Sequence, residues 1–336
     1  MPRRSAVGPD AIAALPNLLT AFFRAAKGRR HQREVIAYEA QLSDNLSRLA
    51  VAIRRGEAPV GDWSSFTVYD PKERLILAPA FADRVFHHAL MAQIGPVLDR
   101  GLVDDTFACR TGKGNLRAVL RCQQHSRRFA VVVGADVRAY FATIDHGILM
   151  GLLARRFKHP LTLGLCAQVL ERRPGPPGVG LPIGALTSQH FANLYLDGLD
   201  RYLQETLKVR GYVRYMDDLR WWVDDAARGR ETLAAVRAWA LTERALVIKP
   251  QASIGASARG VSFLGFRVWP GRLGLGPRRR RRYVEARARW EGRYLRGEID
   301  VLGLQQGITA AIAITAHAEA VAWRRGELQR RPPVDA

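Results

Sequence analysis

The chain has 336 residues, of which 48% are hydrophobic, so it can bury a sizeable core in one or two domains with short appendages. Its 52 Lys and Arg residues against 31 Asp and Glu give a formal net charge of +21, which favours nucleic acid over membrane as a partner, although a basic proteome or a ribosome-associated protein would show the same excess. The three cysteines have no CxxC or zinc spacing and no apolar run reaches the roughly 18 residues of a membrane span, so a cytoplasmic protein without disulfides is predicted.

The N-terminal region predicts two amphipathic helices behind a disordered basic leader at residues 1–10. Apolar residues recur at helical spacing over residues 15–26, and Gly28 ends that helix. A second apolar stripe runs from Leu42 to Ile53. Both stripes are predicted to face a core rather than a ligand.

Residues 66–77 predict a β-hairpin with its turn at Asp70 and Pro71. Lys72 and Arg74 would emerge on one face of this hairpin, where paired cations can hold a triphosphate. The alternative is a solvated hairpin edge that charge protects from pairing with other chains.

A helix over residues 81–94 is predicted next, followed by a basic, glycine-bearing loop at residues 106–115. The backbone N–H groups of this loop and the start of the next helix predict a contact with template or nucleotide. The β-branched run at residues 130–136 then predicts a buried strand that ends on Asp136.

The Pro- and Gly-rich segment 172–180 predicts a flexible connector, and residues 181–189 then open a long helix. Gly184 permits close approach of the backbone to a ligand. Ser188 and Gln189 offer hydrogen bonds to a base or a sugar.

Residues 212–223 predict two short strands with Asp217 and Asp218 at the tip of a tight hairpin. Adjacent Asp residues also occur in ordinary turns, so the pair alone leaves both interpretations open. If the strand that ends at Asp136 neighbours this hairpin in one sheet, three carboxylates meet and cations must neutralise them. Hard oxygen ligands suit Mg²⁺, and two such ions about 4 Å apart serve phosphoryl transfer.

The C-terminal region predicts a helix over residues 233–244, a short strand over 245–248 and a hairpin over 260–269. Five consecutive arginines, Arg278 to Arg282, precede a helix whose aromatic residues share one face. An arginine run is usually a solvated tail, but the aromatic face favours a clamp on a nucleic-acid duplex. An alanine-rich helix over residues 308–323 is predicted last.

In this order the motifs resemble those of a reverse transcriptase over about residues 60–270. The motifs are Asp136-Val137-Arg138-Ala139-Tyr140-Phe141 (first palm motif), Tyr215-Met216-Asp217-Asp218 (YxDD), Pro71-Lys72-x-Arg74 with Asp83-Arg84 (fingers) and Phe263-Leu264-Gly265-Phe266 (primer grip). The resemblance implies an α/β right-hand polymerase. Its parts would be fingers over residues 11–130 and 147–180, a palm over 131–146 and 181–272, and a basic helical thumb over 273–336.

One subfamily is favoured by the glycine loop, Ile183-Gly184-Ala185-Leu186-Thr187-Ser188-Gln189. This IGxxxSQ form is similar to that of diversity-generating retroelement reverse transcriptases, whereas group II intron enzymes usually carry QGxxxSP. The resemblance implies error-prone copying of a template-repeat RNA into cDNA, with errors opposite template adenines, for diversification of a target gene. It also implies three kinds of partner: dNTPs, the structured RNA with its cDNA duplex, and a basic homo-oligomeric accessory variability protein.

The same resemblance assigns residues to roles. Asp136, Asp217 and Asp218 are the catalytic residues and, with Val137, the ligands of two Mg²⁺ ions, for which Mn²⁺ can substitute. Phe141 is the steric gate against a 2′-hydroxyl, with Tyr140 as the neighbouring candidate.

The nucleotide and template side is assigned to Lys72, Arg74, Ile183, Gly184 and Gln189. Lys72 and Arg74 would contact the triphosphate, with Arg110 as a further candidate. Ile183 lacks a polar end group, so we expect it to orient the template weakly and to tolerate mispairs.

A lysine that protonates pyrophosphate often follows the YxDD hairpin in reverse transcriptases. Ala252 falls at about that place in this chain and Lys249 lies three residues earlier, so general-acid catalysis stays open. Two rival functions also stay open: a retron or phage-defence reverse transcriptase, and a catalytically idle RNA-binding scaffold. The intact acidic positions disfavour the scaffold.

Overall fold

Helices and strands are interspersed along the chain in the computed structural model, which describes residues 4–69 and 73–334. The helices are α1 Pro9–Ala13, α2 Leu15–Ala26, α3 Arg33–Ala40, α4 Leu42–Arg54, α5 Phe81–Gly101, α6 Asn115–Arg128, α7 Tyr140–Thr143, α8 His146–Ala154, α9 Pro160–Glu171, α10 Leu186–Arg201, α11 Ala226–Arg244, α12 Pro277–Leu295, α13 Val301–Ala313 and α14 Val321–Arg330. The strands are β1 Trp63–Tyr69, β2 Glu73–Pro79, β3 Val131–Asp136, β4 Gly211–Tyr215, β5 Asp218–Val223, β6 Ser253–Ala256, β7 Val261–Phe263, β8 Phe266–Val268 and β9 Leu273–Leu275. The predicted α/β class is confirmed.

The strands form three sheets. β1 and β2 pair antiparallel as a separate hairpin, from Trp63 opposite Pro79 to Tyr69 opposite Glu73. The second sheet has the strand order β4-β5-β3-β6, and β7, β8 and β9 form an antiparallel meander. The hairpin over residues 66–77 is therefore present, while its predicted turn residues Asp70, Pro71 and Lys72 lie outside the described part of the chain.

The chain forms two compact units. The first contains residues 4–69, 73–110, 136–202 and 235–250, and the second contains residues 111–135, 203–234 and 251–334. The division into fingers, palm and thumb stays a prediction.

The core of the first unit confirms the N-terminal helix predictions. The buried side chains of α2 and α4 include Leu18, Phe22, Leu46 and Ile53, at the helical spacing that the sequence shows. Gly28 adopts a left-handed φ of +74° just after α2, a conformation that favours glycine.

The predicted disordered leader is wrong for residues near Ser5. The Ser5 backbone N–H donates to the Arg156 carbonyl at 2.8 Å, and the Lys158 N–H donates back to the Ser5 carbonyl at 3.0 Å. Charge composition predicts solvation, but it carries no information about such nonlocal backbone pairing.

Two predicted elements of the C-terminal half are also wrong. Residues 245–248 form no strand: Ile248 makes an isolated bridge to Val137. The single helix predicted over residues 308–323 is two helices, α13 and α14, separated by a turn. Thr315 is buried in that turn and donates to the Ile312 carbonyl at 2.7 Å. High alanine content concealed the break.

The second unit buries the aromatic residues of its central strands, and Tyr212, Trp221 and Trp222 are almost inaccessible to solvent. A smaller cluster joins Tyr283 and Ala286 of α12 to Ala311 of α13. In the described part of the chain, no helix combines the length and the apolar character that crossing a bilayer requires.

Candidate active site

The two adjacent aspartates lie at the tip of the β4–β5 hairpin. Tyr215 pairs with Asp218, so only Met216 and Asp217 form the loop. Met216 has a φ of +55°, a left-handed conformation that costs a non-glycine residue on the order of 1 kcal/mol. The fully buried Arg214 donates to the Met216 carbonyl at 3.1 Å and holds this tip. The predicted hairpin with its acidic tip is confirmed.

Asp218 forms an ion pair with Arg220, which lies two residues further along the same strand. Because side chains alternate across a strand, both point to the same face. The Arg220 guanidinium also donates to the Ser262 carbonyl at 3.0 Å and lies 5.4 Å from the centre of the Phe263 ring. Asp218 is therefore held by a cation that is itself fixed.

Asp136 ends β3, as predicted, and belongs to the first unit together with its partner Lys249. The Lys249 ammonium contacts the Asp136 carboxylate, and the Lys249 backbone N–H donates to the Asp136 carbonyl at 2.8 Å. Lys249 thus brings an ammonium to a predicted catalytic acid, although the sequence offers Ala252 at the place where a lysine was expected.

Of the two aromatic residues that follow β3, one is buried in the core and the other is partly exposed. Tyr140 is buried, and its hydroxyl donates to the Ala192 carbonyl. Phe141 is only partly buried, and its ring centre lies 5.6 Å from that of Tyr140. Phe141 is therefore the ring available to a ligand, while its role as steric gate stays a prediction.

The glycine loop contacts strand β2. The Leu77 N–H donates to the Ile183 carbonyl at 2.9 Å, and a Cβ on Gly184 would lie 2.4 Å from the Leu77 carbonyl oxygen. The φ of Gly184 is +130°, so both space and conformation require glycine here. The side chains of Ile183 and Gln189 are exposed.

The side chains predicted to contact the triphosphate differ in whether they are free of other bonds in the fold. Arg74 is exposed on β2, and Lys72 lies outside the described residues. Arg110 donates to the Asp99 carboxylate at 2.7 Å, to two carbonyls of its own loop and to the Asp99 carbonyl. These bonds commit the Arg110 guanidinium to the fold.

Metal binding rests on the chemistry of the donors. Within residues 4–69 and 73–334, no three His, Cys, Asp or Glu side chains lie close enough together to hold a metal ion. Carboxylates suit a hard divalent cation, and Asp136 and Asp218 each attract a cationic side chain, Lys249 and Arg220 respectively. The donor types therefore fit Mg²⁺, and the ligand set stays a prediction.

Sequence reasoning missed Arg220, and it named Lys249 only as a candidate general acid without anticipating its ion pair with Asp136. The two-residue spacing of Asp218 and Arg220 on one strand face was a usable signal. No local signal predicts the pairing of Lys249 with Asp136, because the two residues lie more than a hundred positions apart in the sequence.

Residues 70–268 match the profile of a family described as "Reverse transcriptase (RNA-dependent DNA polymerase)". Together with the mixed helices and strands, this match confirms the fold class expected of a right-hand polymerase.

Two curated proteins are more distantly similar. Protein YkfC of Escherichia coli is 25% identical over 208 residues, which cover 55% of this chain and 53% of YkfC. The putative COX1/OXI3 intron 2 protein of Saccharomyces cerevisiae is 21% identical over 161 residues, which cover 45% of this chain and 18% of that protein. The chain thus spans about half the length of the first relative and less than a fifth of the second.

Two solved structures are similar to part of this chain's fold. One is apo telomerase from Candida tropicalis, with a TM-score of 0.49 and 11% identity over 64% of this chain and 54% of that one. The other is telomerase from Candida albicans with a fragment of telomeric RNA, with a TM-score of 0.49 and 8% identity over 80% of this chain and 56% of that one.

Proposed function

Because the chain belongs to the reverse transcriptase (RNA-dependent DNA polymerase) family, we propose that it copies RNA into DNA. More narrowly, we propose that it copies a structured template-repeat RNA into cDNA with frequent errors opposite adenine, so that the cDNA diversifies a target gene. The IGxxxSQ form of residues 183–189 supports the narrower proposal. The observation that carries the polymerase itself is the Asp217–Asp218 pair at the tip of a buried hairpin.

The carboxylates of Asp136, Asp217 and Asp218, with the Val137 carbonyl, would hold two Mg²⁺ ions or the Mn²⁺ ions that replace them. When bound, such ions supply Lewis-acid activation of the primer 3′-hydroxyl and neutralise charge on the departing pyrophosphate. The chain's own contribution at the hairpin tip is rigidity, since the buried strands β4 and β5 on either side of it hold Asp217 and Asp218.

Phe141 would exclude ribonucleotides by filling the space of a 2′-hydroxyl. A buried hydrogen bond to the Ala192 carbonyl anchors the Tyr140 side chain, and the centre of the Phe141 ring lies 5.6 Å from that of Tyr140. Arg74, with Lys72, would bind the triphosphate by charge-assisted hydrogen bonds. Gly184 and Gln189 would line the nucleotide and template side.

Infidelity would arise at Ile183. Its carbonyl is held by the Leu77 N–H, while its exposed side chain carries no group that can hydrogen-bond a template base. An Ile183→Gln variant should therefore misincorporate less often opposite template adenine, and equal error rates in the variant and the wild type would contradict this assignment.

The partners of the proposed function are polyanions and one protein. The arginines of α12 would contact the backbone of the RNA–cDNA duplex, although several of them also serve the fold. Arg279 lies 3.9 Å from the centre of the Phe266 ring, and the buried Arg287 donates to the Glu291 carboxylate at 2.7 Å. The subfamily resemblance adds a basic homo-oligomeric accessory variability protein.

The test is Mg²⁺-dependent dNTP incorporation on a primed RNA template, with sequencing of the product. Asp217→Asn should abolish incorporation, whereas Asp224→Asn, an exposed aspartate just beyond the other end of β5, should not. Errors concentrated opposite adenine would support the narrower proposal. Faithful synthesis would instead favour a retron or phage-defence role, and unchanged incorporation by Asp217→Asn would refute the assigned site.

A further inference from the structure

The Arg220 side chain contacts three different parts of the second unit. Its guanidinium pairs with the Asp218 carboxylate, donates to the Ser262 carbonyl at 3.0 Å and lies 5.4 Å from the centre of the Phe263 ring. Only 15% of the Arg220 side chain is exposed, so these contacts are largely shielded from water.

Gly134 provides the space for this guanidinium. A Cβ built on Gly134 would lie 3.2 Å from Cζ and Nε of Arg220 and 2.7 Å from the Ser253 hydroxyl oxygen. Gly134 has no left-handed φ, so its backbone alone would accept another residue. Position 134 therefore requires a glycine because the Arg220 and Ser253 side chains pack directly over it.

We propose that Arg220 is a positioning residue: it fixes the Asp218 carboxylate and joins it to the β7–β8 hairpin, which carries the residues that resemble a primer grip. This inference rests on the proposed function. A carboxylate beside a two-residue loop can rotate between staggered positions, and an ion pair with a guanidinium that Ser262 and Phe263 hold restricts that rotation. Because the same guanidinium also donates to the Ser262 carbonyl of β7, it links the Asp218 carboxylate to the β7–β8 hairpin.

The test uses changes that leave the net charge unaltered, so that loss of position is separated from loss of electrostatic compensation. Arg220→Lys keeps the positive charge but removes the second guanidinium nitrogen, which donates to Ser262, and the guanidinium contact with Phe263. Gly134→Ala adds a methyl group against both the guanidinium and the nearer Ser253 hydroxyl, so it supports the result of Arg220→Lys and does not replace it. Gly255→Ala, on β6 of the same sheet, is the matched control, because a Cβ there meets no atom within 4 Å.

Mn²⁺ binding to the protein without nucleotide, followed by electron paramagnetic resonance, is the readout that a merely structural role would not change. We expect Arg220→Lys and Gly134→Ala to weaken Mn²⁺ binding about tenfold, the size typical of groups that orient metal ligands. We expect kcat for primed dNTP incorporation to fall by a similar factor while the dNTP KM stays within about twofold. Gly255→Ala should match the wild type in all three quantities.

The link to the β7–β8 hairpin is tested with Phe263→Leu, which keeps an apolar side chain but removes the aromatic face. It should weaken Mn²⁺ binding about two- to fivefold in the wild type and have no further effect in Arg220→Lys. Additive losses in the double variant would overturn the link.

The melting temperature of each variant shows whether it folds, and Arg220→Lys carries the test if Gly134→Ala does not fold. Folded Arg220→Lys with wild-type Mn²⁺ affinity and kcat overturns the proposal and leaves the proposed function standing. A wild-type protein that neither binds Mn²⁺ nor incorporates dNTPs overturns the proposed function, and this inference with it.

Discussion

The β1–β2 and β4–β5 hairpins have the same antiparallel pairing and opposite environments. Nearly every residue of β1 is exposed, including Phe66 and Tyr69, whereas β4 and β5 bury Tyr212, Trp221 and Trp222. The buried hairpin carries the adjacent aspartates, and the exposed one carries Arg74. The β4–β5 hairpin therefore holds its aspartates beside a packed core, while the β1–β2 hairpin presents Arg74 on a long, exposed side chain.

This difference matches what each group must do in the proposed function. A carboxylate that binds a metal ion together with other carboxylates must hold its position, because a small misplacement lowers the rate of catalysis strongly. A cation that attracts a flexible triphosphate acts over a longer range and needs less geometric support. Burial thus distinguishes the two hairpins better than their sequences do.

The largest expected effect is the removal of a buried ring from the β4–β5 hairpin. Trp221→Ala should lower the free energy of unfolding by about 3–5 kcal/mol, because it leaves a cavity and deprives Thr232 of the indole N–H, now 3.0 Å away. Phe66→Ala in the exposed hairpin should change it by less than about 0.5 kcal/mol. Urea unfolding of both variants checks the contrast, which similar losses would contradict.

Acid should destabilise the protein at His87, whose ring centre lies 6.3 Å from that of Trp63 in the exposed β1–β2 hairpin. Burial, with smaller contributions from His88 and Arg84, lowers the pKa of His87 to about 4. Between about pH 6.5 and pH 4, His87 therefore binds a proton in the unfolded state but not in the folded state. The free energy of unfolding falls as the pH drops through this range. At about 1.4 kcal/mol per pKa unit, His87 alone contributes up to about 3 kcal/mol to this loss.

Thermal unfolding between pH 4 and 7 measures this dependence. His87→Gln keeps an acceptor for the Thr187 hydroxyl, which lies 3.1 Å from His87 Nδ1, and cannot titrate. The variant should therefore show a shallower decline than the wild type. An unchanged slope would place the acid sensitivity elsewhere.

The contact between the glycine loop and β2 should depend on Gly184. Gly184→Ala forces a Cβ against the Leu77 carbonyl and keeps an unfavourable positive φ, so it should lower the free energy of unfolding by about 2 kcal/mol. Gly164→Ala, in α9, meets no atom within 4 Å and should raise it by about 0.5–1 kcal/mol. Denaturant titration of the pair gives both signs, and a stable Gly184→Ala would contradict the close approach.

Arg74 tests the exposed hairpin by function rather than by stability. Arg74→Ala should raise the KM for dNTP about tenfold, the loss expected for a charge-assisted hydrogen bond to a phosphate, without changing the melting temperature. Arg54→Ala removes another exposed arginine, on α4, and should leave the KM unchanged. Equal KM values for Arg74→Ala and the wild type would remove Arg74 from the nucleotide site.

What the sequence predicts well is local. The apolar residues at helical spacing over residues 15–26 coincide with α2, and the aspartate pair lies at a hairpin tip as expected. Both patterns depend on residues that are close together in the sequence. The contacts of Arg220 with Ser262 and of Lys249 with Asp136 join distant segments, so no periodicity reports them.

The smallest expected effect concerns the loop of the β4–β5 hairpin. Met216→Gly should raise the free energy of unfolding by roughly 0.5 kcal/mol, since relief of the left-handed strain, about 1–2 kcal/mol, exceeds the added flexibility of glycine in the unfolded chain, about 0.5–1 kcal/mol. Leu264, with a φ of +49° in the β7–β8 loop, offers the matched variant Leu264→Gly. A gain at Leu264 with a loss at Met216, measured by denaturant titration, would mean that the Met216 side chain stabilises the acidic tip through contacts stronger than the strain it imposes.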